Sequence, residues 1–434
     1  MSRILIRGAR LADGRGADLL LDGGLVADLG TGLSAAGARV VDADGLLALP
    51  GLVDLHTHLR EPGGEGAETV LSGSRAAAAG GYTAVFAMPN TTPTADTAGV
   101  VEQVAALGRA AGYVEVRPIG AVTKGRRGEE LAELATMARS RAAVTVFSDD
   151  GDCVADPLIM RRALEYVAIT GGVIAQHAQE PRLTAGAQLN EGAVSAELGL
   201  AGWPAVAEEA IIARDALLAG ELGARLHVCH VSTAGSVEVL RWAKARGVRI
   251  TAEVTPHHLL LTDEEARGYD ARYKVNPPLR TTDDVAALRA AVADGTIDAI
   301  ATDHAPHPAE AKRSEWPAAA NGMVGLESAL PVVQAALVET GVLGWPDVER
   351  LMSTTPARIG GLPHAGRPLE PGVRASVVLV DPAARRTFGV EHLAGRSTNS
   401  PYLGRELPGR VVATFYEGVP TVLDGVVQQL ERAL

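Results

Sequence analysis

Nine of the eleven histidines in this 434-residue chain lie at the ends of short apolar runs or just beyond them. His56-Thr57-His58, His177, His230, His257-His258 and Asp303-His304 fall this way, and Asn90, Thr123-Lys124 and Asp149-Asp150 take equivalent places after other runs. His56 and His58 are two apart, which on a strand turns both rings to one face. Alone, such a pair is as readily two hydrogen-bonded histidines as part of a metal site. Six further runs ending in His, Asp or Asn favour ligation. The candidate ligands are His56, His58, Asp150, His177, His230 and Asp303. Imidazole and carboxylate suit zinc, and no thiolate is well placed. Six ligands with one shared carboxylate suit two ions, which would lower the pKa of a bridging water and polarise a carbonyl.

Parity sorts the neighbours of these residues. His227 is three residues from His230, so it should face the other way and serve structure. His304, beside Asp303, is expected behind the site or turned outward. One of His257 and His258 lines the mouth at most, and neither is taken as a ligand. Cys229 and Cys153 read as small core hydrophobes.

A set of strand-end ligands needs strands that converge. The apolar runs are Gly51–Leu55, Thr83–Met88, Val114–Gly120, Ala143–Phe147, Gly172–Ala175, Leu226–Cys229, Ile250–Val254 and Ile297–Ala301, and helix-forming stretches such as Val100 to Ala111 and Val285 to Ala293 lie between them. Eight strand–helix units predict a parallel (β/α)8 barrel, whose C-terminal strand ends meet at one mouth. Outside it, Ile4–Ile6, Leu19–Gly24 and Arg39–Val41 at one end, and Ser376–Val380 and Val411–Phe415 at the other, predict short strands. Their glycine-rich punctuation favours a small antiparallel, sandwich-like β-domain built from both termini. The expected division is 1–50 and 365–434 for that domain and 51–364 for the barrel.

Composition narrows the class. A formal charge of −12 argues against nucleic acid or an anionic membrane as partner. Two cysteines are too few for a disulfide framework, which points to a reducing cytoplasm. No apolar stretch is long enough to span a membrane, and the N-terminus has no signal-peptide pattern. Aromatics are only 3% of residues, so Ala, Val, Leu and Ile must build the core.

Several motifs occur in order: Pro50-Gly-Leu-Val-Asp-Leu-His-Thr-His-Leu-Arg-Glu-Pro-Gly63, Met88-Pro-Asn-Thr91, Phe147-Ser-Asp-Asp-Gly151, His227-Val-Cys-His-Val-Ser232, Glu253-Val-Thr-Pro-His-His258, Lys274-Val-Asn-Pro-Pro-Leu-Arg280 and Ala301-Thr-Asp-His-Ala-Pro-His307. With them, residues 50 to 330 resemble the amidohydrolase superfamily and, within it, the class I dihydroorotases. The resemblance implies one metal position at His56, His58 and Asp303, another at His177 and His230, and Asp150 bridging. Many superfamily members bridge with a carboxylated lysine at the fourth strand. This chain has none there, and Lys124 after the third strand reads as a solvated charge. One departure is Ala178-Gln179-Glu180 after His177, where relatives carry a small residue and then acids.

The resemblance further implies that Arg60 and Asn90 hold the carboxylate of dihydroorotate, with His58, Leu59, Asn276, His307, Asn321 and Gly322 also touching substrate. A guanidinium fork suits a carboxylate, although Arg60 could instead pair with Glu61 or Glu65 at the rim. The loop from Ala305 to Met323 is expected to close over the ligand. The implied reaction is the reversible cyclisation of N-carbamoyl-L-aspartate to dihydroorotate. In the hydrolytic direction a metal-activated hydroxide attacks the ring carbonyl, and Asp303 carries its proton to the leaving nitrogen. Hydantoinase- or allantoinase-type ring opening, and a non-catalytic scaffold, are the rival readings. A homodimer and a complex with aspartate carbamoyltransferase, which some relatives form, complete the expectations.

Overall fold

The computed structural model describes residues 3–430. Five strands open the chain: β1 (Ile4–Leu11), β2 (Gly16–Asp22), β3 (Leu25–Gly30), β4 (Arg39–Asp42) and β5 (Leu47–Pro50). The alternation then begins with β6 (Leu52–Thr57), α1 (Val70–Ala79), β7 (Tyr82–Ala87), α2 (Ala98–Ala111), β8 (Glu115–Pro118), α3 (Leu134–Arg139), β9 (Val146–Phe147), α4 (Pro157–Thr170) and β10 (Val173–Gln176). An insertion follows, with β11 (Leu189–Asn190), α5 (Ala193–Leu198) and β12 (Gly202–Trp203). The alternation resumes with α6 (Val206–Leu222), β13 (Leu226–Val228), α7 (Ala234–Ala245), β14 (Ile250–Val254), α8 (Thr282–Ala293) and β15 (Ala299–Ile300). The chain ends in β16 (Val377–Thr387), β17 (Glu406–Tyr416), β18 (Val419–Leu423) and β19 (Val426–Val427).

Strands β6-β7-β8 form one parallel ribbon and β9-β10-β13-β14-β15 another. Parallel bridges Gly120–Phe147 and Thr57–His304 join the two edges, so the eight strands close into a barrel. Local sequence supports the units between them. Thr69 and Thr281 cap α1 and α8 through capping boxes, and Asp156 caps α4 just ahead of Pro157. Glycines in the left-handed region end α2, α4 and α6.

Side chains divide by face. Leu52, Val85, Val116, Phe147, Ile174, Val228, Ala252 and Ile300 point outward onto the helices. Val53, Leu55, Ala84, Phe86, Ile119, Val146, Val173, Ala175 and Ala299 fill the lumen, with Ala357, Ile359 and Leu362 packed against them. The lumen is therefore a packed apolar core whose polar residues gather at the C-terminal mouth.

Both termini contribute to one nine-stranded sheet, in the order β19-β18-β17-β16-β5-β1-β2-β3 with β4 beside β1. The sheet is mixed rather than wholly antiparallel, because β1 runs parallel to both β4 and β5. Short strands separated by glycines give no sign of direction, and the crossover from β1 to β5 sets it. Among the described residues no helix is long and apolar enough to cross a membrane.

Candidate metal centre and substrate pocket

The first strand delivers its two histidines through an irregularity. Between Asp54 and Thr57 the pairing with β7 shifts by one residue, so β6 carries an extra residue there. Such a bulge lets Leu55 and His56 both face inward before alternation resumes. His56 and His58 then share the lumen face. His177 lies one residue past β10, and Asp150 and Asp303 lie three past β9 and β15. His230 (φ 30°), Asp303 (φ 47°) and Arg60 (φ 63°) adopt the left-handed backbone that non-glycine residues seldom take. Sparsely populated backbone of this kind gathers at functional sites.

Asp150 sits between two groups of rings. Its Oδ2 is 3.2 Å from His56 Nε2 and 3.4 Å from His58 Nε2. Its Oδ1 is 3.2 Å from His230 Nε2 and 3.3 Å from His177 Nδ1. Asp303 Oδ1 lies on the first side, 3.1 Å from His58 Nε2 and 3.4 Å from His56 Nε2. All six residues are buried. Asp149 turns away, and its carboxylate accepts from the backbone N–H of Val122 (2.8 Å) and Thr123 (3.0 Å).

The far nitrogens of three rings face acceptors. His56 Nδ1 meets Glu253 Oε1 at 2.8 Å, His58 Nδ1 meets Asn90 Oδ1 at 2.9 Å, and His177 Nε2 meets Gln179 Oε1 at 2.7 Å. An acceptor on one nitrogen fixes the proton there and leaves a lone pair on the other. Those lone pairs point at Asp150, at Asp303 and at one another, with His177 Nδ1 2.8 Å from His230 Nε2. His56 Nε2 is buried without a hydrogen-bond partner. Burial alone would push both carboxyls up, yet the neighbouring histidines hold Asp150 and Asp303 well below the usual carboxylate range. Burial likewise opposes charge on His56, but Asp150 and Asp303 raise it well above its ordinary value, so that without another cation beside them these carboxylates draw a proton onto its Nε2. A buried set with ionised carboxylates and surplus lone pairs calls for cations, and its oxygen and nitrogen donors fit a divalent metal. Ligand atoms of His56, His58 and Asp303, and those of His56, Asp150 and His230, lie within 4.8 Å of one another.

Beside this centre is a cavity of about 200 Å³ lined by His58, Arg60, Asn90, Asp150, Gly151, His177, Asn276, Asp303, Ala305, His307, Asn321 and Gly322. Arg60 reaches in with its Nε on Pro306 O at 3.2 Å. Among the described residues it makes no rim ion pair, since Glu61 accepts from Val70 N and Glu65 from Gly63 N. Burial draws the Arg60 guanidinium down to about 10, which leaves it charged at neutral pH. Asn276 donates to Gln179 Oε1 at 3.2 Å, while its own Oδ1 is buried and unpaired. Leu59 does not line the cavity; its side chain packs into the outer core, under α1.

One neighbour differs from expectation. His227 faces the lumen, not away from it: it pairs with Ala175 of the lumenal cluster and binds Glu253 Oε2 through Nε2 at 3.0 Å. Strand parity failed because β13 ends at Val228, before His230. Glu253 thus links His227 to His56. A carboxylate in the middle of an apolar strand was its visible signal. Gln179, the departure after His177, supplies the acceptor that orients that ring. His304 turns outward and takes the backbone N–H of Gly325 on its Nδ1 at 3.1 Å. His258 is tied to Thr255 at 2.7 Å, and His257 is buried with a free Nε2. Cys229 is buried in the lumen and Cys153 half-buried. Lys124 pairs with Glu130 near the surface.

Comparison with known proteins gives the family. Residues 45–236 match the family described as dihydro-orotase-like. The chain is 71% identical to a dihydroorotase of Leifsonia xyli, covering 98% of this chain and 97% of that one. It is 64% identical to a dihydroorotase of Streptomyces coelicolor (98% and 99% covered) and 54% identical to one of Mycobacterium tuberculosis (98% and 99%). Among solved structures it is similar to an L-hydantoinase of Arthrobacter aurescens, with TM-score 0.86, 26% identity and coverage of 99% and 98%.

Proposed function

The chain belongs to the dihydroorotase family, and from that membership we propose how its residues divide the work of interconverting N-carbamoyl-L-aspartate and dihydroorotate. The enzyme is a hydrolase of a cyclic amide, it serves pyrimidine biosynthesis, and its substrate is a small molecule. His56, His58 and Asp303 would hold one zinc ion, His177 and His230 a second, and Asp150 would bridge them. The observation that carries this is the division of Asp150, with one oxygen facing each group of rings. When bound, zinc supplies a Lewis acid and makes water acidic enough to ionise near neutrality.

The remaining steps belong to the protein. Arg60 takes the substrate carboxylate in its fork and Asn90 adds a directed bond. Asn276 Oδ1 and His307 address the ring, and the backbone at Asn321 and Gly322 closes its edge. Asp303, between the rings and the cavity, accepts the proton of the attacking water and returns it to the ring nitrogen as the C–N bond breaks. In the biosynthetic direction the same carboxylate takes the proton from nitrogen and delivers it to departing water.

We place the barrel at 51–364 and the β-domain at 1–50 with 365–434, of which residues 1–2 and 431–434 lie outside the described residues. A cytoplasmic homodimer, able to associate with aspartate carbamoyltransferase, remains our proposal for its setting. The test is elemental analysis of the purified enzyme alongside turnover of dihydroorotate, dihydrouracil and hydantoin. Two zinc ions per chain and preference for dihydroorotate are expected. An active preparation without divalent metal, or a preference for hydantoin, would overturn the assignment.

A further inference from the structure

Only four of the chain's forty Lys and Arg residues are lysines: Lys124, Lys244, Lys274 and Lys312. Lys124 and Lys244 make ion pairs with Glu130 and Asp298. The other two are buried, 4% and 9% exposed, and among the described residues neither has a carboxylate within ion-pair distance. Both amino groups instead end on backbone carbonyls, all but one of them between residues 316 and 322. Lys312 Nζ donates to Lys274 O (3.1 Å), Ala320 O (2.7 Å) and Gly322 O (2.8 Å). Lys274 Nζ donates to Trp316 O (2.6 Å), Pro317 O (3.3 Å) and Ala319 O (2.8 Å).

The two sets interlock. Lys274 O, already held by Lys312, also accepts the N–H of Gly322 at 2.9 Å. Asn399 Nδ2 donates to Ala305 O at 3.0 Å and Gly322 O at 3.2 Å from the other side. Gly322 has φ 127°, and a Cβ there would stand 2.6 Å from Ala305 Cβ, so the fastened backbone is one that glycine alone takes. Apart from Lys274 O, these carbonyls belong to residues 305–323, the loop that brings His307, Asn321 and Gly322 to the cavity.

Burying an amino group without a counter-charge is costly. A chain that otherwise uses arginine has here used the compact group whose three donors can each meet a carbonyl. We propose that Lys274 and Lys312 are positioning residues that fasten the 305–323 loop in its substrate-binding shape, so that this wall of the pocket is built before substrate arrives. The loop then acts as a fixed wall and not as a lid. The inference rests on the assignment of Asn321 and Gly322 to substrate.

The test uses the zinc-loaded enzyme and two readouts, steady-state kinetics on dihydroorotate and hydrogen exchange across 305–323. In the parent the loop should exchange slowly without substrate and more slowly with it. Lys312→Met should speed exchange in the free enzyme and raise KM about tenfold, the scale of one lost charge-assisted bond, with kcat and zinc content changing far less. Lys312→Gln, which keeps a shorter donor, should fall between, and it serves if the Met variant does not fold. Parental KM with parental loop exchange in the variants overturns the inference. If dihydroorotate fails to slow exchange at 305–323 in the parent, the assignment of Asn321 and Gly322 falls, and the inference with it.

Discussion

Asp303, 3.1 Å from His58 and on the cavity wall, is our proposed proton carrier in both directions of the reaction. Asp303→Asn keeps an oxygen donor but removes the proton site, so turnover should fall by roughly 10²–10⁴. A variant within threefold of the parent would show that another group moves the proton. Arg60, on the cavity wall, is our proposed reader of the substrate carboxylate. Arg60→Met keeps bulk but loses the fork, and a charge-assisted bond contributes about 1.5–3 kcal/mol. Its kcat/KM on dihydroorotate should drop at least about tenfold, with zinc content unchanged as the control. If the variant still prefers dihydroorotate to dihydrouracil as the parent does, Arg60 does not read the carboxylate. His307 differs in its response to pH. Burial, aided by the charge of Arg60, pulls it down to about 3, so the ring is protonated only below that pH and stays neutral from pH 5 to 8. His307→Asn should therefore lower kcat/KM while the acidic limb of its pH profile keeps its midpoint. A shift of that limb would assign the titration to His307.

At the scale of strands, the site depends on contacts between neighbours in space. Glu253 on β14 holds His56 Nδ1 with one oxygen and His227 Nε2 with the other. Removing a carboxylate that orients a metal-binding imidazole typically costs 10–100-fold in metal affinity. Glu253→Gln, which keeps size and one acceptor, should release zinc to a chelator about ten times more readily. Parental zinc retention would reduce Glu253 to a packing role. The same strands show what sequence could and could not reveal. The eight barrel strands were legible because each is an apolar run ending in a polar residue and followed by a helical period. The bulge at Leu55–His56 was not legible, because it is a property of pairing with β7. His227 was misplaced because parity holds only within a strand, and β13 ends before His230. Strand β3 is mostly exposed, and β17 carries Pro408 and Gly409 near its start, so neither shows a clean alternation.

Over the whole molecule, the terminal sheet and the barrel share their cores residue by residue. On β16, Val377 and Leu379 face the sheet's own cluster, while Val378 and Val380 belong to the barrel cluster. On β5, Ala48 faces the first, and Leu47 and Leu49 face the second. Period-two alternation thus makes these two paired strands a wall between the cores. A side chain crosses it as well: Thr414 Oγ1 donates to Ala78 O at the end of α1 (2.8 Å). A β-domain so built shares its packing with the barrel, and the barrel is expected to depend on it, although it lines no part of the cavity. Leu49 tests this, because it lies in the β-domain by sequence and in the barrel core by contact. Leu49→Ala should cost roughly 2–5 kcal/mol, as for other buried leucines, and calorimetry of the zinc-loaded enzyme should show one transition moved to lower temperature. The same variant should keep its zinc and its KM, since Leu49 is remote from the cavity wall. A melt that splits into two transitions, with the later one unmoved, would mean that the barrel holds without the sheet.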